Sequence, residues 1–273
     1  MDYLLQIKEA TAYISSRTSY RPKIGLILGS GLGELADTLE SPEHYRYEDI
    51  PNFAVSTVPG HSGKLVMGKL EGVEVVAMQG RIHYYEGYSM KQVTFPVRVM
   101  KNLGVEVLIV TNACGGLNEK LYVGALMLIR DHINMMPENP LRGINFDELG
   151  PRFPDMLQAY DKELITIAQE VANEIDLEIF TGVHCAVTGP TFETHAEMHM
   201  LKVLGADTVG MSTIPEAIVA RHAGMRVLGI SAVTDMSGME EVSHESVILA
   251  ANEIKPRFIK LVRGVVKKNA FKP

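Results

Sequence analysis

The chain has 273 residues, 46% of them hydrophobic, enough to bury a sizeable core in one large α/β domain or two small ones. Its 26 basic and 33 acidic residues leave a net charge of -7, which argues against a general nucleic-acid or membrane-surface binder, since either needs a basic face. Cys114 and Cys185, the only cysteines, imply no disulfide framework and read as reduced and buried.

The N-terminal stretch MDYLLQIKEATAYISS lacks the basic start and apolar run of a signal peptide, and no apolar run reaches membrane-spanning length. The expectation is a cytoplasmic protein. Residues 3–18 read as an amphipathic helix. KIGLILGSGLG (23–33) reads as an apolar strand running into a tight glycine loop. GKLVMGKLEGVEVVAMQG (63–80) reads as a hairpin turning at Glu71-Gly72. Residues 89–104 are expected to be helical with a kink at Pro96. Strands follow at 105–116 and 124–134, and a helix at about 160–175. Then come a strand at 178–190 and a helix whose Ala196, Met200, Val203 and Leu204 recur at helical spacing. A strand at 207–212, a helix at 213–224 and a strand at 225–235 precede a last helix. That helix carries Val247, Ala251, Ile254, Phe258 and Leu261 on one face. No repeat or linker divides the chain, so residues 1–273 are read as one α/β domain around a parallel or mixed sheet.

Polar residues close almost every strand: LGSG, QGRIH, TNACGG, TGPTFE, GMS and VTD. Ligand sites in α/β proteins gather at strand C-terminal ends. This pools Ser30, Arg81, His83, Asn112, Glu193, Ser212 and Asp235 as candidates for one pocket. GSGLGE (29–34) is not a dinucleotide fingerprint, because Glu34 stands where the third glycine belongs. Its free backbone N–H groups and one hydroxyl still suit an anion. PGHSGKL (59–65) lacks the spacing of a P-loop. His195 and His199 lie four apart, but there is no glutamate directly after His195 and no third ligand, so no metal is expected. QGRIHYYEGY (79–88) sets Arg81, His83, Tyr84, Tyr85 and Glu86 between two glycines. Arginine forks onto phosphate and histidine adds a donor, so this cluster points to anion binding.

VPGHSGKLVMGKLEG, MQGRIHYYEGY, TNACGGLN, LIRDHINMMPENPLRG, GPTFETHAE and VGMSTIPEAIVARHAGMRVLGIS together resemble the purine nucleoside phosphorylases, in the trimeric class that prefers 6-oxopurine nucleosides. The likeness runs in order from about residue 21 to residue 265. It implies an α/β fold with a mixed, barrel-like central sheet flanked by helices, and a homotrimer. It implies phosphorolysis of purine (deoxy)ribonucleosides to the free base and (deoxy)ribose 1-phosphate, as in purine salvage. Phosphate is then a co-substrate, and no cofactor is expected. Ser30, His61, Arg81, His83, the Ala113 backbone and Ser212 would surround the phosphate. The Arg81 guanidinium would contact only the anion, and Glu86 would orient a neighbour such as His61. Tyr85, Met211 and His244 would hold the ribose. Phe153 would reach the neighbouring subunit's site. Tyr84 would only pack.

For the base, Phe192 would lie against the purine plane and Glu193 would accept from N1–H. Asp235 departs from the family pattern, which has asparagine there. An ionised aspartate only accepts hydrogen bonds. Either Asp235 is protonated by desolvation and by Glu193, and donates toward N7, or it accepts from a 6-amino group. The second case is an alternative reading: the same chemistry with substantial adenosine or methylthioadenosine activity. On these readings His83, Glu193 and Asp235 would be the catalytic side chains.

Overall fold

The computed structural model describes residues 2–57 and 62–268. In chain order the elements are α1 (Tyr3–Ser15), β1 (Ile24–Leu28), β2 (Glu40–Arg46), β3 (Lys64–Leu70), β4 (Val73–Gln79), α2 (Met90–Val93), α3 (Phe95–Asn102), β5 (Val107–Gly116), β6 (Leu126–Asn134), α4 (Lys162–Glu174), β7 (Ile179–Ala186), α5 (His195–Val203), β8 (Thr208–Gly210), α6 (Ile214–His222), β9 (Arg226–Met236) and α7 (His244–Lys268).

The strands form one mixed sheet in the order β2-β3-β4-β1-β5-β8-β7-β6-β9, and β9 pairs back onto β5. Strands β5, β8, β7, β6 and β9 therefore close into a ring, and β1 to β4 extend it as a wing. β1 is parallel to β4 and β5, while β3 and β4 form an antiparallel hairpin. Glu71 (φ 52°) and Gly72 (φ 80°) form the two-residue turn between them. Two successive positive φ values match the twist of a hairpin and favour glycine at the second place.

β1 is buried at every residue, as expected of a strand flanked on both edges and covered on both faces. The predicted face of the last helix is buried as read: Val247, Ala251, Ile254, Phe258 and Leu261 all lie in the interior. Thr94 ends α2 and opens α3, with Pro96 in the first turn of α3. Pro96 thus divides the predicted helix at 89–104 in two, because it has no amide hydrogen for the preceding turn.

Two expectations change. The stretch at α5 is helical, but Ala196, Met200, Val203 and Leu204 are exposed. Met198 and Leu201 are buried instead, against Leu117, Cys185, Ala206 and Val209. Both stripes share helical spacing, so periodicity could not choose between them. The strand β2 was not expected. It is a sheet edge with only Tyr45 buried, and its Pro42 and charged residues are what an edge tolerates.

Candidate active site

The strand ends meet in a cleft of about 280 Å³, small enough for a metabolite rather than a polymer. Its wall includes every member of the pooled set: Ser30, Arg81, His83, Asn112, Glu193, Ser212 and Asp235. Tyr85, Ala113, Phe192, Met211 and His244 line the same cleft. His61 lies outside the described residues.

At one end sits Arg81, only 1% exposed. Its Nε donates to Glu216 Oε1 at 2.7 Å, and one terminal nitrogen donates to the Thr111 carbonyl and the Ser212 hydroxyl, each at 2.8 Å. This corrects the expectation that Arg81 spends itself on an anion alone. A fully buried guanidinium needs a carboxylate nearby, and Glu216 supplies it. Glu216 was missed in the sequence, although a signal was present. In IPEAIVA (214–220) it is the one charge in a buried apolar stretch, and such a charge calls for a buried partner.

His83 follows on the same strand exit. Glu86 Oε1 accepts from the His83 backbone N–H at 2.7 Å and lies 3.3 Å from His83 Nδ1. Glu86 Oε2 accepts from the Thr57 amide at 2.6 Å and from the Thr57 hydroxyl at 2.8 Å. Burial pushes the Glu86 carboxyl up, but these bonds from His83 and Thr57 outweigh it and hold it at about 2. Glu86 therefore stays ionised and orients His83. The expected contact between Glu86 and His61 lies outside the described residues. Burial lowers His83 below the usual imidazole range, with Glu86 opposing and Arg81 adding to the shift, so the ring is largely neutral near pH 7. Tyr85 stacks on His83 with centroids 4.7 Å apart and planes at 15°. Burial and then Glu86 raise its phenol to about 12, so Tyr85 keeps its proton. Tyr84 packs among apolar residues, as read.

The other end of the cleft has the opposite character. Asp235 is buried, accepts from the Thr234 hydroxyl at 3.0 Å, and has no ion pair among the described residues. A Cβ on Gly115 would come within 2.9 Å of Asp235 Oδ2, so only glycine lets the carboxyl lie there. Burial raises the Asp235 carboxyl above the usual range, against the Thr234 bond. Burial raises Glu193 too, and the Asp235 charge adds to it. Two half-dry carboxyls thus share one end of the cleft, neither with an ion pair among the described residues.

A bulge sets this arrangement. Cys114 pairs with Val233 and Gly115 with Asp235, so Thr234 is an extra residue in β9. Successive residues of a regular strand face opposite ways, yet Thr234 and Asp235 both line the cleft. Cys114 is buried and lines the wall beside them, with burial and Asp235 pushing its thiol up. Phe153 is not in this cleft: it is 88% exposed on the outside of the chain.

A donor-rich end, a donor-poor acidic end and an aromatic wall between them are what an anion plus a heterocycle require. The model of the phosphorylase superfamily matches residues 23–267. Purine nucleoside phosphorylase 1 of Bacillus subtilis is 56% identical over 264 residues, covering 96% of this chain and 97% of that one. The Schistosoma mansoni purine nucleoside phosphorylase, solved with inosine, superposes with a TM-score of 0.92 at 40% identity, covering 97% of this chain and 96% of that one. Its structure with adenosine gives a TM-score of 0.93 at 41% identity, covering 97% and 98% of the two chains. The chain therefore belongs to the phosphorylase superfamily and, within it, to the purine nucleoside phosphorylases.

Proposed function

We propose that this protein catalyses phosphorolysis of purine (deoxy)ribonucleosides such as inosine and guanosine, giving the free base and (deoxy)ribose 1-phosphate in purine salvage. The observation that carries the reading is the polarity of one cleft, with a buried Arg81 at one end and two carboxyls of raised pKa at the other. Ser30, Arg81, His83, the Ala113 backbone and Ser212 hold the phosphate, together with His61. Tyr85, Met211 and His244 flank the sugar, and Phe192 and Glu193 meet the base. A phosphate oxygen attacks C1′, the C1′–N9 bond breaks, and its electron pair passes to the purine. A protonated Asp235 then gives its proton to N7 as that charge develops. Fixing the nucleophile and neutralising the leaving group are how such displacements are accelerated.

The reading needs no cofactor, with phosphate as the second substrate. Glu193 as acceptor from N1–H favours a 6-oxopurine, which carries that proton where adenine does not, so substantial 6-aminopurine activity is the less favoured alternative. The test is inosine turnover with and without phosphate. Hypoxanthine and ribose 1-phosphate should appear in equal amounts, and only with phosphate present. Release of hypoxanthine in its absence would make the protein a hydrolase.

The working unit on this reading is a homotrimer in the cytoplasm. Among the described residues, no helix is long and apolar enough to cross a membrane. Phe153, at 88% exposed, suits a partner's site better than water. Phe153→Ala is expected to weaken nucleoside binding while the assembly persists, since one ring in a large interface rarely decides association. Mixed assemblies of Phe153→Ala with an Arg81-inactivated chain should regain activity. Absence of complementation would place Phe153 outside any shared site.

A further inference from the structure

Among the described residues, five non-glycine residues have positive φ: Ser41, Asn52, Glu71, Asp176 and Thr213. Asn52, Glu71 and Asp176 stand in turns that solvent reaches, and Ser41 lies exposed at the irregular start of the edge strand β2. Thr213 is different, being fully buried and β-branched, with φ 79° and ψ -52°. A β-branched side chain is rarely held in that region. The Ile214 amide donates to the Ser212 carbonyl at 2.9 Å, which closes a strained three-residue γ-turn centred on Thr213. Asn112, midway along β5, donates its side-chain amide to Thr213 Oγ1 at 2.9 Å. The segment is thus tethered to the neighbouring strand at its most strained residue. Thr213 itself does not line the cleft, whereas Ser212 does, with its hydroxyl accepting from Arg81 at 2.8 Å.

We propose that Thr213 is a positioning residue: the γ-turn, locked by Asn112, holds the Ser212 hydroxyl between Arg81 and the bound anion. The inference rests on the reading of Ser212 as part of the phosphate cradle. A relaxed Thr213 with negative φ would break the Ser212–Ile214 bond and rotate Ser212 away from Arg81. Pro215 enters α6 two residues later with its own φ fixed, so the chain has little freedom to absorb the change downstream. Strain of this kind persists only where the surroundings over-determine it. The Asn112 bond and the proline supply that constraint.

Thr213→Val keeps the shape but loses the atom that Asn112 holds. It should raise the phosphate KM by roughly tenfold, the scale of one hydrogen bond to a charged group, with the inosine KM changed by less than about twofold. Thr213→Ser keeps the hydroxyl and should return the phosphate KM to within about threefold of the parent, on the same scale. Thr213→Gly adopts positive φ without strain. It should fold, since the strain it relieves offsets part of the loss of the buried side chain, and still show the raised phosphate KM, which covers the case in which the valine variant does not fold. Ser212→Ala is the control, and adding Thr213→Val to it should cost nothing further. A normal phosphate KM in Ser212→Ala sinks the cradle reading and this proposal together. A raised value in Ser212→Ala with normal values in Thr213→Val and Thr213→Gly leaves the cradle standing and ends the proposal. Equal rises in both KM values that serine fails to rescue, or additive losses in the double variant, make Thr213 a packing residue only.

Discussion

Arg81→Ala is expected to lose phosphate-dependent turnover and to lose stability as well. The stability loss follows from the Arg81–Glu216 pair, whose side chains are 2% and 3% exposed. Removing one partner of a buried pair leaves the other charge stranded and typically costs about 3–5 kcal/mol. A domain with about 5–15 kcal/mol in hand is badly weakened by that. A fall in activity alone would therefore not separate anion binding from folding. Adding Glu216→Gln to Arg81→Ala removes the stranded charge and should recover much of the lost Tm. Turnover should stay absent, with the phosphate KM raised far more than the inosine KM in any residual activity. Recovery of activity along with Tm would show that Arg81 serves the fold and not the anion.

The second large effect is expected at Asp235, in the pH profile. Its folded-state pKa is raised, by burial first. The protonated carboxyl is therefore the form the folded site favours. Its contribution is complete below the unfolded aspartate value of about 3.9 and is lost as pH rises through the raised value. Donation toward N7 needs that same proton, so kcat for inosine should fall on the alkaline side. Asp235→Asn supplies a donor with no proton to lose. It should flatten the alkaline limb and hold or raise inosine turnover at high pH. It should also reduce any adenosine activity, because an amide set as donor to N7 serves a 6-amino group less well. Profiles of kcat for both substrates in both proteins decide it. An alkaline limb that survives Asp235→Asn unchanged would make Asp235 a bystander at the rim of the base site.

Much of this protein is readable without coordinates. Apart from the edge strand β2, the order of helices and strands follows from periodicity and glycine punctuation, down to the turn at Glu71-Gly72. The pooled strand-end residues do share one cleft, because α/β chains deliver polar strand ends to one side of the sheet. The family was legible from motifs that keep their order over most of the chain. What sequence left open depends on contacts between segments far apart along it. Arg81 and Glu216 are separated by 135 positions, and their pairing makes the expected anion ligand half of a buried ion pair as well. Asp235 faces the cleft because Thr234 is an extra residue against β5, a matter of register between two strands. The stripe noted on α5 is not the buried one, because two apolar stripes have the same spacing and only the residues packed against the helix choose between them. Thr213 looks ordinary in STIPEA (212–217), and its strain exists only once β5 brings Asn112 alongside. Local patterns determine which residues form each element. Burial, pKa and strain are properties of what surrounds a residue, and only the closed sheet supplies those surroundings.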